Sequence, residues 1–289
     1  MLKLDLPVCP TTAYIHCEAQ WRAYLGAQRK GDALSALEDA VLSRYQEYLR
    51  HEGDPTKVGA SPWPRRSILG DLLYGCYASG NGADRAIVEA TRAVAKGYCP
   101  YCGLRLKQRP GGRNHESDHH LPRSVFPEFS VLSANLVTAC HDCNEHKSNI
   151  YLTACGGRRF LHPYFDSCLS LQLLEADVRA SRTGTPLVEF RLSPVALSCP
   201  ASAIIAEHVE HLDVLERLSD EATEALVPRL QEAAARGEPV DETRKVFRVV
   251  GSAQLLHRPN DPLGLTLVAA SQSPHLSALI DVAGQHLTR

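Results

Sequence analysis

Two cysteine pairs share the same internal spacing, Cys99-Pro-Tyr-Cys102 and Cys140-His-Asp-Cys143, and they are separated by residues 103–139. A two-residue spacer lets both thiolates of a pair face one cation, and two such pairs complete a tetrahedral site without an open position. Four soft thiolates favour Zn²⁺. A redox CxxC is the alternative, but that chemistry uses one motif beside a βαβ unit rather than two. The sequence therefore predicts a structural zinc site.

A second set of reactive side chains lies between the two pairs, in Asp118-His119-His120-Leu121-Pro122. Since four thiolates saturate a zinc ion, the aspartate and both histidines are left available for other chemistry. Carboxylate oxygens bind hard cations, and an imidazole with an ordinary pKa of about 6.5 accepts a proton at pH 7. Two alternatives stay open from the residues alone. These groups could replace a cysteine pair at the zinc, or the stretch could be a turn with surface histidines.

The order of the motifs carries more information than any one of them. The segments CPYC, DHHLP, Asn135-Leu136-Val137 and ACHDCNEHK follow one another along the chain. This ordered set resembles the HNH endonucleases with a zinc-ribbon frame, which belong to the ββα-metal superfamily. The resemblance covers about 70 of the 289 residues, and the flanking regions resemble no family that we can name.

The resemblance implies a β-hairpin that carries DHHLP on its first strand, followed by a helix that opens at the second cysteine pair. It implies that His119 is the general base, and that Asp118 and Asn144 hold one Mg²⁺ or Mn²⁺ ion. Asn135 aligns with the middle asparagine of the family, whose implied role is to orient the loop and the histidine. The last position is a histidine in many relatives, so His146 is an alternative to Asn144 as the second metal ligand.

Other polar residues near the motifs have weaker expectations. Arg123 and Lys147 could position phosphates, or they could belong to a solvated face. Lys147 is expected on the same helix face as Asn144, close to a helix N-terminus that favours an anion. His120 could contact phosphate or support the site, or it could be a partly exposed strand residue. His162 is predicted to be a packed structural histidine, and His115 and His141 are predicted to lie at the surface.

The remaining chain predicts an α+β protein in three parts: a mainly helical region at 1–97, the HNH module at 98–166 and a C-terminal α+β region at 167–289. Apolar residues at helical spacing over 33–49 and over Ala83–Ala95 predict helices, and Gly97 is a C-cap candidate. Two extended runs around a Thr-Gly-Thr turn predict a β-hairpin after residue 170. One or two amphipathic helices follow, and the last fifty residues are expected to be mixed.

Composition narrows the class of partner. The net charge is −2, but nine Lys/Arg stand against five Asp/Glu between residues 96 and 159, so the module is the basic part of the chain. This balance supports a polyanionic substrate, and the resemblance to the HNH endonucleases implies DNA, or alternatively RNA. No run of residues is apolar enough for a membrane span, and the start lacks the apolar core of a signal peptide, so we expect a cytoplasmic protein. The six remaining cysteines are expected to be ordinary thiols rather than a disulfide framework.

Two functions remain as hypotheses from the sequence. The first is a metal-dependent endonuclease, an effector in a prokaryotic defence or restriction system, whose flanking regions dock an ATPase or sensor protein. The second is a catalytically inactive, zinc-dependent module that binds nucleic acid or protein. The complete set of Asp118, His119 and Asn144 favours the first, because a decayed site would be expected to have lost one of them.

Overall fold

The structure, a computed structural model, describes residues 1–7, 31–75, 77, 83–106 and 115–285. It divides into two compact units. One comprises Lys3–Tyr101 and Arg105–Asp166; the other comprises Ser167–Arg289 together with Met1–Leu2 and Cys102–Leu104. Among the described residues, no helix combines the length and the apolar character that crossing a membrane requires.

The first unit begins with helices, as the hydrophobic spacing predicts. They are α1 (Gly31–Arg50), α2 (Ile68–Gly75) and α3 (Ala83–Ala95). The proline- and glycine-rich stretch between α1 and α2 is not helical. Gly97 follows the last turn of α3 and has a φ of 82°. This left-handed conformation is common directly after a helix, and glycine adopts it easily because it has no Cβ atom. Within the mainly helical region predicted at residues 1–97, residues 8–30, 76 and 78–82 lie outside the described residues.

Helix α1 and the loop after residue 120 share one hydrophobic core. Val41, Tyr45 and Tyr48 follow one another at spacings of four and three residues, so they lie on one face of α1. That face packs into a cluster that includes Phe129 and Leu132. The boundary predicted at residues 97/98 therefore falls inside one unit, because neither segment buries its apolar face without the other. The division into three domains stays a prediction.

The expected ββα arrangement is present in the first unit. Strand β1 (His115–His119) pairs antiparallel with β2 (Leu136–Cys140), in a register that sets His119 opposite Leu136 and His115 opposite Cys140. Helix α4 (His141–Lys147) starts directly after β2. Because β1 ends at His119, only the first part of the Asp-His-His-Leu-Pro stretch is on the strand, and the rest begins the loop that returns to β2.

Asn135 fastens this loop to helix α1. Its Oδ1 accepts hydrogen bonds from the Leu121 amide at 2.8 Å and from the Tyr48 hydroxyl at 3.0 Å. Its Nδ2 donates to the carbonyls of Leu121 at 3.0 Å and Phe129 at 3.2 Å. A side-chain amide offers two donor hydrogens and two acceptor lone pairs, so all four are used. The side chain is fully buried, and burial without these partners would be costly.

The second unit contains the predicted β-hairpin and the predicted helices. Strand β3 (Leu174–Ala180) pairs antiparallel with β4 (Pro186–Leu192). The helices that follow are α5 (Pro194–Ser198), α6 (Ser202–His211), α7 (Val214–Arg236), α8 (Val240–His257), α9 (Pro262–Gln272) and α10 (Leu276–Gln285). The amphipathic stretch after residue 200 is thus two helices. The sequence predicted mixed structure for the last fifty residues. Up to residue 285 this prediction was wrong, because all the regular elements that the structure describes after β4 are helices.

The bond between Tyr48 and Asn135 generates a stability prediction. Tyr48→Phe removes the hydroxyl and leaves Asn135 Oδ1 without one of its two donors in a site that excludes water. We expect the free energy of unfolding, measured by urea titration, to fall by about 1–3 kcal/mol. Tyr151→Phe is the matched control: Tyr151 packs on Phe126, and its hydroxyl has no hydrogen bond within the described part of the chain. An equal loss of stability in both variants would contradict the prediction.

Candidate functional site

The four predicted zinc ligands lie together. The sulfur atoms of Cys99, Cys102, Cys140 and Cys143 are all within 4.8 Å of one another. Three of these cysteines are fully buried, and Cys140 is half-buried. A tetrahedral zinc ion with Zn–S bonds of about 2.3 Å needs sulfur atoms about 3.8 Å apart, so the donor set fits. Among the residues that the structure describes, the cluster consists of cysteine alone, without the aspartate or histidine that the sequence left open as substitutes.

Local backbone geometry explains how each cysteine pair is shaped. Gly103, directly after the first pair, has a φ of 85°, and a Cβ atom added there would lie 2.6 Å from the Met1 backbone nitrogen. Only glycine fits such a position without strain. At the second pair, Cys140 is the last residue of β2 and the N-cap of α4, so Cys143 lies on the first turn of the helix. The strand-to-helix junction therefore presents both sulfur atoms.

Asp118 lies on β1, and its buried carboxylate contacts two polar side chains. Its carboxylate accepts a hydrogen bond from the Tyr101 hydroxyl at 2.7 Å and lies 3.1 Å from the Lys147 ammonium. The Lys147 side chain is fully buried and also donates to the His119 carbonyl at 2.8 Å. Burial, followed by the negative charge of Asp118, raises the pKa of Tyr101 well above its usual value, so Tyr101 stays a hydrogen-bond donor.

His119 is held in one tautomer. Its Nε2 lies 2.9 Å from the Ser130 carbonyl oxygen, which can only accept, so Nε2 carries the hydrogen and Nδ1 keeps the lone pair. The Tyr77 ring meets the imidazole edge-on, with centroids 4.7 Å apart. Burial, and then the positive charges of Arg123 and Lys147, lower the pKa of His119 to about 3. The imidazole is therefore neutral at pH 7.

Asn144 lies on α4 and faces β1. Its Nδ2 donates to the Glu116 carboxylate. The other Glu116 oxygen accepts from His141 Nδ1 at 2.9 Å, and this hydrogen bond and the charge of Glu116 raise the pKa of His141. His141 is exposed, as predicted. Glu116 was not among the residues singled out from the sequence. The signal was present, because residues two apart on a strand share a face and Glu116 precedes Asp118 by two.

Residues described above line one cavity of about 460 Å³ in the first unit. Its lining includes Asp118, His119 and Asn144, together with Arg123 and Glu116. Acidic, basic and neutral polar groups thus meet in one concave site. The catalytic and metal-binding roles assigned to the first three stay predictions, and the cavity brings together the residues on which those predictions rest.

Two predicted contact residues do not reach this cavity. Lys147 was expected near phosphate, but its buried ammonium pairs with Asp118 instead. His120 was expected to contact phosphate, to support the site or to be partly exposed on the strand. It is only 2% exposed, beyond the end of β1, with its ring centroid 4.0 Å from that of His162. Neither residue lines the cavity, because both side chains are used to fill the interior of the unit.

Of the remaining predicted residues, some line the cavity and others lie in the interior of the first unit. Arg123 lines the cavity and stacks on Tyr74 and Tyr77, with its guanidinium carbon 4.2 and 5.2 Å from their ring centroids. His162 is a fully buried structural histidine, as predicted, 2.9 Å from the Tyr48 hydroxyl. His146 does not line the cavity, unlike Asn144. The His115 side chain lies outside the described residues.

Comparison with known proteins supports the identification made from the motifs. Residues 99–149 match the family model of the HNH endonucleases. Over 68 residues, the chain is 37% identical to protein ea31 of Escherichia phage lambda, an alignment that covers 24% of this chain and 21% of that relative. The chain thus spans about a fifth of the length of the curated relative it matches. No solved structure matches the chain. The chain therefore contains an HNH endonuclease domain at residues 99–149.

Proposed function

We propose that this protein is a metal-dependent endonuclease that hydrolyses phosphodiester bonds in DNA. The observation that carries the proposal is the His119 side chain: it is neutral, fixed in one tautomer, and lines the same cavity as Asp118 and Asn144. Hydrolysis of a phosphodiester needs a base for the attacking water and a positive charge near the leaving oxygen. In this cavity, His119 supplies the base, and Asp118 and Asn144 supply oxygen ligands for a cation that would carry the positive charge.

His119 is the general base in this proposal. The Ser130 carbonyl keeps the proton on Nε2, so Nδ1 is the nitrogen that can take a proton from water. The low pKa keeps Nδ1 unprotonated at neutral pH, and it also makes the ring a weaker base than an imidazole whose pKa lies near 7. The Tyr77 ring restricts the imidazole from the side and holds its orientation.

Asp118 and Asn144 would hold one Mg²⁺ or Mn²⁺ ion. A carboxylate oxygen and an amide oxygen are ligands that these hard cations prefer. When bound, such an ion supplies Lewis-acid stabilisation of the negative charge on the leaving oxygen. The contacts of Asp118 with Tyr101 and Lys147 fix the carboxylate in advance and leave lone pairs that are not used in those bonds.

Arg123 is the candidate for phosphate binding. Its guanidinium stacks on two tyrosine rings, and its Nη1 is buried without a hydrogen-bond partner within the described part of the chain. A buried donor without a partner is costly, so a ligand oxygen at this atom would be stabilising. A planar guanidinium can donate two parallel hydrogen bonds to a phosphate.

One observation favours the second candidate function, an inactive zinc-dependent binding module. The Lys147 ammonium already pairs with Asp118, and its charge opposes a divalent cation at the same carboxylate. Direct measurement of metal-dependent cleavage separates the two functions. The wider biological role that we propose, an effector of a prokaryotic defence system with an ATPase or sensor partner in the cytoplasm, rests on analogy with other stand-alone HNH proteins.

Replacement of the proposed base tests the reaction. His119→Ala should lower the rate of supercoiled plasmid cleavage in Mg²⁺ or Mn²⁺ by about 10²- to 10⁴-fold, because it removes the proposed general base. Circular dichroism and zinc content should match those of the wild type. Cleavage by His119→Ala at the wild-type rate would exclude His119 as the base. No cleavage by the wild type with DNA or RNA would favour the binding module.

Asn144 and His146 can be separated as metal ligands. Asn144→Ala should abolish metal-dependent cleavage, because it removes an oxygen ligand from the cavity. His146→Ala should leave cleavage within about twofold of the wild type, since exposed and half-buried positions away from a site tolerate substitution. The assay is plasmid cleavage over a range of Mn²⁺ concentrations. The opposite pattern would assign the metal to His146.

The zinc site predicts a defined metal content. The wild type should contain about one zinc ion per chain by plasma mass spectrometry, and Cys143→Ala should lose it. Without the metal, the three remaining thiols have no common ligand, so the strand-to-helix junction should become susceptible to protease. Cys155→Ala is the control, because Cys155 is exposed and outside the cluster. Full zinc content in Cys143→Ala would contradict the assignment.

A further inference from the structure

The Asn144 side chain is oriented by a carboxylate that lies outside the family motifs quoted above. A carboxylate oxygen accepts hydrogen bonds but, when ionised, donates none, so the atom of Asn144 that contacts Glu116 must be the amide nitrogen. The amide oxygen is then the atom left for another ligand. This assignment follows from hydrogen-bonding chemistry alone.

Glu116 is itself held in place from two sides. It lies on β1 opposite Ala139 of β2, so the sheet fixes its backbone. Its second carboxylate oxygen accepts from His141 Nδ1 at 2.9 Å, and His141 Nε2 lies 3.4 Å from Glu145. The carboxylate therefore bridges two residues of the first turn of α4 and ties that turn to the strand that carries Asp118.

We propose that Glu116 is a positioning residue for the divalent cation: it fixes the Asn144 amide so that Oδ1, rather than Nδ2, is presented as the metal ligand. The inference rests on the proposed function, because it assumes a cation at Asp118 and Asn144. Without Glu116, the amide would rotate about its side-chain torsion, and half of its orientations would present a nitrogen with two hydrogens to the cation. Partners that orient metal ligands commonly change metal affinity by about 10- to 100-fold.

The test measures metal binding rather than cleavage. Mn²⁺ is titrated by isothermal calorimetry into zinc-loaded, full-length protein that carries His119→Ala, so that no turnover occurs. Glu116→Ala in this background should weaken Mn²⁺ binding about tenfold or more. Glu116→Gln should stay within about threefold, because its amide oxygen still accepts from Asn144 Nδ2. Zinc content and thermal stability should be unchanged in both.

Matched variants separate orientation from charge. Glu145→Gln removes a negative charge from the same cavity, at an exposed carboxylate that pairs with His141, and should change Mn²⁺ affinity by less than about threefold. A loss in Glu116→Gln as large as that in Glu116→Ala would overturn the positioning role, since it would make Glu116 a direct ligand or a purely electrostatic contributor.

Asn144→Ala distinguishes failure of this inference from failure of the proposed function. If Asn144→Ala loses Mn²⁺ binding while Glu116→Ala retains it, the positioning role of Glu116 is wrong and the proposed metal site stands. If Asn144→Ala binds Mn²⁺ as tightly as the parent protein, the proposed metal site is wrong, and the inference about Glu116 is overturned with it.

Discussion

The gathering of four cysteine sulfur atoms is the constraint on which the candidate site depends. Cys140 is both the last residue of β2 and the N-cap of α4, so the cysteine cluster determines where the helix starts. The start of α4 in turn determines which of its side chains face β1: Asn144 contacts Glu116, and Lys147 reaches Asp118. In a segment with so short a sheet and helix, a zinc ion bound by the cluster would add stability to that of the apolar core.

Charge burial then determines how rigid the site is. The Lys147 side chain is fully buried and Asp118 is 4% exposed, and buried charges of this kind are stable only when they are paired and hydrogen-bonded. Breaking such a pair commonly costs about 3–5 kcal/mol, so the carboxylate keeps its place before any ligand arrives. The neutral His119 ring is held by its hydrogen bond to the Ser130 carbonyl. The site is therefore organised in advance, which lowers the cost of reaching a reactive geometry.

The elements that support the site extend beyond the segment that matches the HNH family. Tyr48 on α1 donates to Asn135, and Asn135 holds the carbonyl of Phe129, next to the Ser130 carbonyl that accepts from His119. Hydrogen bonds on either side of the Phe129–Ser130 backbone thus connect α1 to the proposed base. This connection gives the helical region a structural role in the HNH module, in addition to the core that the apolar face of α1 shares with the loop after β1.

The sequence by itself determined the parts of this protein that depend on local spacing. The two cysteine pairs, the ordered motifs, the helices at α1 and α3 and the hairpin at β3 and β4 all follow from the period of a helix, the period of a strand or the reach of a two-residue spacer. Tertiary structure decided what depends on residues distant in the chain. It buried Lys147 against Asp118 and His120 against His162, and it brought Glu116 to Asn144. From residue type alone, a lysine or a histidine is predicted to lie at the surface. Only the packing of neighbouring residues determines whether its side chain is exposed to solvent or contacts a buried partner.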